Sequence, residues 1–401
     1  MRRILCLVAI AGCGPGNPVN PSDGGTGCPA GEQTFGGVCL TAPTVAAART
    51  PCGDVTEFCD PKAMATPNLA CLGMAKMHPP MPDKVALTGF VHPFSSGKSN
   101  SAVTIQLFAA ADLLAGKDPS TATPIQSATV TFDPSTAMDP TQFRACDVDP
   151  MVGCVPTAPS ACVAPTCDDG LNGRPDGKKY CHLVSGQPTC SDRLRWEPRF
   201  TIPADGSPAI PTNTSLVIRS SGMNGQADQT WAVLVAWNVF FASDDPACAD
   251  GQATDCIDSS TPAKPKYQLN VNVLSESDYT NIPVAAGLSS GIAIGEGAVA
   301  GEVHDCDNVR LANVQVGTSP TGDRLTYFNG NPYDTLPDSG RAATGTDRLG
   351  LYSALNVVPG KIDVETAGLV GGNVVTVGKF TAIVYPNSVA VVNINGGKPA
   401  Q

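Results

Sequence analysis

Four groups of residues have types and spacing that chemistry could use. Gly287-Leu-Ser-Ser-Gly291 matches G-x-S-x-G, the pattern that seats a nucleophilic serine, here Ser289, on a turn between a strand and a helix. Ile282-Pro-Val-Ala-Ala before it is not strand-like, glycine-rich chain follows, and the one later histidine is His304, so the stretch is expected to be a flexible linker. Gly295-Glu-Gly297-Ala-Val-Ala300-Gly301 fits a dinucleotide-binding pattern, but that motif must open a helix. Here Val299 and Val303 alternate as in a strand. Asp305-Cys306-Asp307-Asn308 and Asp244-Asp245 offer oxygen ligands to calcium, yet the spacing lacks the glycine and terminal glutamate of a calcium loop, so polar turns are expected. His92 and His304 hold matching places in Gly89-Phe-Val-His-Pro93 and Gly301-Glu-Val-His-Asp305. Because Pro93 follows one and Asp305 the other, no carboxylate neighbour recurs, and the pair reads as shared strand-end geometry.

Trp231, Trp237, Phe240 and Phe241 crowd residues 231–241, the longest apolar run. It is too short to span a bilayer. Alternation puts Trp231, Val233, Val235, Trp237 and Val239 on one face, which predicts a central strand covered on both sides. A solvent-facing aromatic platform for sugar is the alternative, since exposed aromatic patches usually mark binding. The histidines (His78, His92, His182, His304) are scattered and no C-x-x-C occurs, so a zinc site is not expected. No metal or cofactor is called for.

The start of the chain carries an address. Arg2 and Arg3 precede an apolar run over residues 4–11, and small residues lead into Cys13. That is a secretory signal, and Ile10-Ala11-Gly12-Cys13 resembles the bacterial lipobox, in which the cysteine is lipidated and becomes the mature N-terminus. The resemblance implies a signal peptide over 1–12, lipidation at Cys13 and a membrane as partner through the lipid. Gly14, where inner-membrane lipoproteins often carry Asp, implies the outer membrane, on its periplasmic or surface face. Sixteen cysteines agree with export: without Cys6 and Cys13, fourteen remain between Cys28 and Cys306, enough for seven disulfides in an oxidising compartment. Cys28–Cys39 and Cys248–Cys256 enclose short turn-rich loops and are expected to pair. Cys146, Cys154, Cys162, Cys167, Cys181 and Cys190 are expected to pair among themselves. Cys52, Cys59, Cys71 and Cys306 then remain, which opens a link from the N-terminal segment to the far end of the chain.

The 401 residues carry a net charge of −11 with no basic cluster, so a nucleic-acid partner is not expected. Glycine and proline, 41 and 36 in number, favour turns over long helices. Residues 13–82 show little periodicity and read as a Cys-rich stalk or linker. Residues 83–285 read as a β-sandwich unit with strands near 85–91, 102–108, 125–132, 194–202, 215–220, 230–241 and 267–274, a short helical stretch at 109–115 and a Cys-rich insertion over 146–190. Residues 275–297 read as linker, and 296–398 as a second sandwich able to fold alone. The units look related: each begins G-x-V-H, and each later has an aromatic strand, a proline turn and an alternating strand. The fold class is therefore all-β, two antiparallel β-sandwich units after a disulfide-braced, largely irregular N-terminal segment.

Gly301-Glu-Val-His-Asp, Leu311-Ala-Asn-Val-Gln-Val, the stretch 344–352 and Val358-Pro-Gly-Lys-Ile-Asp-Val resemble the carboxypeptidase regulatory-like, transthyretin-like domains. The resemblance implies a small sandwich of about seven strands with an accessory role. Together these features predict a non-catalytic, membrane-anchored envelope lipoprotein with a structural or binding role, a glycan or an envelope protein being the partner. A carbohydrate- or protein-binding adhesin module is the first alternative. A secreted hydrolase is the second, and scarce histidine counts against it.

Overall fold

The computed structural model describes residues 28–395 apart from 53–57, 63–65, 72–82, 95–101, 132–142, 148–153, 156–179, 185–186, 192–193, 223–224, 226–230, 244, 246, 249–254 and 332–334, and within 143–196 it describes backbone alone. The signal segment with Cys13, His78, Asp244, and the side chains of His182 and of the six cysteines from Cys146 to Cys190 lie outside the described parts.

The chain is all-β, as β-branched runs bounded by glycine and proline dictate. In the first unit the Gly89 strand, Lys84–Pro93, lies antiparallel to Leu194–Ile202 and parallel to Lys266–Gln268 and Val271–Val273. Facing this sheet are Gln126–Val130, Val103–Ala109, Ser215–Ser221 and Val233–Phe240, antiparallel in that order. Val85, Leu87, Ile105, Leu107, Ile202, Leu216 and Trp231 fill the space between. In the second unit the Gly301 strand, Gly297–His304, lies antiparallel to Leu351–Val357 and parallel to Ser388–Val392 and Ile394–Asn395. Its facing sheet is Val314–Ser319, Gly360–Val370 and Asn373–Val384.

The units do not stop at the expected boundary. Val233–Phe240 pairs in parallel with Ser388–Val392, which fuses one sheet from each unit into a nine-stranded sheet. Side chains alternate across it. Leu107, Leu216 and Ile218 point into the first unit's core. Phe108, Val217, Val235 and Trp237 point the other way, into the core with Val299, Ile362, Val364 and Phe380. The result is three layers sharing a middle sheet, rather than two independent sandwiches. The parallel pairs correct the purely antiparallel expectation. In each unit the chain returns over a long connection to lie beside its first strand, and a parallel pair needs such a crossover.

Two further expectations change. Residues 275–297 contain a helix, Glu276–Ala285, whose Ser275 side chain caps the Asp278 N–H at 3.0 Å. It covers Leu234, Leu274, Ala298, Leu355 and Val389 on the first-unit side of the middle sheet. The described N-terminal residues are not a free-standing stalk. Ala48–Arg49 pairs with Leu311–Ala312, and Ala46 bridges Leu369. Val38 and Leu40 are buried, and the backbone at Cys39 passes so close to Gly317 that a Cβ there would sit 2.5 Å from its carbonyl. Strands of two to four residues are too short to show periodicity, which is why the sequence hides them. The short helix Ala110–Leu114 falls inside the predicted 109–115.

Candidate functional site

The polar residues converge where the N-terminal segment meets the Gly301 unit. Strand pairing with Leu311–Ala312 brings Arg49 over the turn after His304. Its guanidinium lies 3.1 Å from Asp305, 3.1 Å from Asp307 and 3.4 Å from Asp60. Arg49, Asp60 and Asp305 are all buried. The Nε contact to Asp305 is an ion pair, not an aligned hydrogen bond. Asp305 Oδ1 accepts from the N–H groups of Asp307 and Val309, and Oδ2 from that of Asn68. Asn68 also donates its side-chain amide to Asp307 at 2.8 Å. Between the two aspartates, Cys306 forms a disulfide with Cys71, a sequence separation of 235. Asp305-Cys306-Asp307-Asn308 is a polar turn, as expected, and its carboxylate oxygens are engaged by Arg49, Asn68 and backbone N–H groups.

His304 is buried next to this clasp. Its Nδ1 lies 2.7 Å from Asn308 Oδ1 and its Nε2 lies 2.8 Å from Glu302 Oε2. Arg310 donates to both Glu302 oxygens, at 2.8 and 3.1 Å, a two-pronged contact that suits the planar guanidinium. Burial works against the Glu302 carboxylate, but Arg310 and His304 outweigh it and hold that carboxyl well below the usual range. His92 has a carboxylate as well. Its Nδ1 is 2.8 Å from Glu197 Oε1, and Glu197 is fully buried. This corrects the sequence-based reasoning that no carboxylate serves both histidines. The two acids reach their histidines from different places, one from the neighbouring strand and one from two residues before, so adjacency in sequence could not show the match.

What recurs in both units is backbone architecture. A Cβ on Gly89 would sit 2.0 Å from the Leu269 carbonyl oxygen, and one on Gly301 2.0 Å from that of Val392. Opposite each glycine is a buried aromatic, Phe200 and Tyr352, an arrangement that shields a strand glycine. After each, an asparagine side chain accepts from the next N–H: Asn270 from Phe90 at 3.2 Å and Asn393 from Glu302 at 3.1 Å. Leu269-Asn-Val-Asn272 and Val392-Asn-Ile-Asn395 are the sequence signal for this match.

The remaining candidates are placed apart. Ser289 is exposed in the turn that follows a helix, not a strand, and no imidazole contact is found for it among the described residues. Gly295 and Gly297 lead into the Gly301 strand and open no helix. Trp231, Trp237, Phe240 and Phe241 are all buried, so they form no platform for a sugar. The face that alternation assigns to Trp231, Val233, Val235, Trp237 and Val239 is split between the two cores. Asn238 adopts φ +58°, and the register shifts between Leu216 and Ile218, so Val235 and Trp237 point into one core while Val239 and Phe241 point into the other. Cys28–Cys39 and Cys248–Cys256 form as expected, and the four left over resolve into Cys52–Cys59 and Cys71–Cys306.

No family model matches the chain, and no curated protein does. Crystal structures of mutants of two pilins align with it. The shaft pilin spaA of Lactobacillus rhamnosus GG aligns at 9% identity and a TM-score of 0.17 over 78% of this chain and 98% of its own. The major pilin of Streptococcus pyogenes aligns at 7% and 0.15 over 78% and 99%. Likenesses this slight support nothing about the fold or role of the present chain.

Proposed function

We propose that the chain is a non-catalytic structural or binding protein of the cell envelope, held at the outer membrane by lipid on Cys13. The Arg49 clasp carries this reading. The carboxylates with most apparent capacity for chemistry hold the N-terminal segment against the Gly301 unit through Arg49, and the buried His304 is engaged on both ring nitrogens by Asn308 and Glu302. A chain tied to a membrane near its start needs that start fastened to folded protein, and the clasp does this. Residues 296–398 are read as a sandwich similar to the carboxypeptidase regulatory-like, transthyretin-like domains, a reading that two facing sheets around a shared core support. A glycan or an envelope protein is the partner proposed, at a surface other than the buried tryptophans. Expressed in a Gram-negative host, the protein should incorporate labelled palmitate and enter the detergent phase, and Cys13→Ala should abolish both. Undiminished label in that variant would overturn the anchor.

A further inference from the structure

Residues 28–50 lie on the Gly301 unit, and so does the last described strand, Ile394–Asn395. The first unit lies between them in sequence. It is closed off by the disulfide from Cys71 to Cys306, whose ring holds the Gly89 strand, its facing sheet, the helix Glu276–Ala285 and also the Gly301 strand, Gly297–His304. We infer that the N-terminal strap, the Arg49 clasp and this disulfide form a mechanical shunt. Tension applied between the N-terminal attachment and the end of the Gly301 unit passes from the strap directly into that unit and never stretches residues 72–305.

The pieces act in series. The hairpin of Glu32–Phe35 and Val38–Thr41 is closed by Cys28–Cys39 and rests on the outer face of Val314–Ser319. Lys379 donates to the Gly36 carbonyl at 2.5 Å. Next come the Ala48–Arg49 pairing with Leu311–Ala312 and the ion pairs of Arg49 with Asp305 and Asp307, which flank Cys306. Thr50 adds bonds to the backbone of Arg310 and Arg348. The non-covalent contacts thus bear load first, and the disulfide is the stop behind them. The covalent chain of the first unit is thereby kept out of the load path, even though its sheet shares the strand Ser388–Val392 with the Gly301 unit. The inference deepens the anchored reading and takes its physiological meaning from it.

The test is single-molecule stretching of the oxidised chain with a handle at each end. The handles replace any lipid, so failure of the shunt and failure of lipidation are seen separately. In the wild type the length released on full unfolding should lack residues 72–305. In the double variant Cys71→Ser with Cys306→Ser, additional unfolding events should appear. Their summed length should approach the span of 235 residues, about 80 nm at roughly 3.4 Å per residue, less whatever other disulfides within the ring keep closed. Should the variant fail to fold, adding reductant to the stretched wild type should release at least that length, far more than the short loops of Cys28–Cys39 and Cys52–Cys59 hold. Arg49→Met should lower the force of the first event and leave the total length unchanged. Equal total lengths for wild type and double variant, together with no release on reduction beyond the short loops of Cys28–Cys39 and Cys52–Cys59, would overturn the shunt.

Discussion

The Gly89 and Gly301 units share a backbone plan and differ in what they do with it. Each places a glycine against a carbonyl of a parallel neighbour, an aromatic opposite, and an asparagine that bridges the split return strand. The side chains around the matching histidines are not shared. His92 is partly exposed and meets a buried acid from the adjacent strand, whereas His304 is buried in a network with Glu302, Asn308 and Arg310 beneath the N-terminal strap. A repeated active site would repeat its polar groups and vary its frame. Here the frame repeats and the polar groups vary, which marks the recurring residues as architectural. Among the described residues, such a fastening is found on the Gly301 unit alone.

The comparison can be broken most sharply at Arg49. Arg49→Met leaves Asp305 and Asp60 buried without their cation, a defect worth about 3–5 kcal/mol. Urea denaturation should show that loss, and hydrogen exchange should place it in the Gly301 unit and the strap. Equal loosening of the Gly89 strand would show that the fastening serves both units. The glycines come next. Gly89→Ala and Gly301→Ala each drive a methyl into a neighbouring carbonyl and should each cost at least about 1–3 kcal/mol, the usual range for overpacking. If one is tolerated and the other is not, the two frames are not equivalent. Asn270→Ala and Asn393→Ala should be milder, each about 0.5–1.5 kcal/mol for a lost hydrogen bond, and similar to one another in the same denaturation assay.

The smallest expected effect is on pH dependence. The Glu302 carboxyl is held below its unfolded value, so its contribution to stability is present above the ordinary carboxylate range and is lost as pH falls below it. Glu302→Gln should flatten that part of the stability–pH curve while Glu365→Gln leaves it in place, because burial pushes the Glu365 carboxyl up, the opposite sign. An unchanged acid limb in Glu302→Gln would remove Glu302 from the account.

The frame was legible where strands are long and alternate. The Gly89 and Gly301 strands, their antiparallel partners and the two short-loop disulfides follow from residue types and spacing. The clasp was not legible, because Arg49 and Asn68 sit in strands and loops of a few residues and meet Asp305 only across more than two hundred positions. The helix Glu276–Ala285 was signalled by Ser275 and Asp278, but Pro283 and the glycines after it mask a helical pattern. The merging of the units was also hidden. It depends on one parallel pairing, and nothing in the alternation of residues 388–392 distinguishes a strand at a sheet edge from one between two others.

That parallel pairing also sets an order of events. Ser388–Val392 lies between Val233–Phe240 and the Gly301 strand, both of which leave the ribosome well before it. Until residue 392 is available, the middle sheet exists as two pieces, each with an open edge. Open edges recruit other strands, and pairings this distant in sequence form slowly. The last long strand to be made therefore acts as a keystone. A chain cut just before Ser388 would keep nearly all its strands and still present two sticky borders, so aggregation rather than simple loss of a tail is the expected fate of such a truncation.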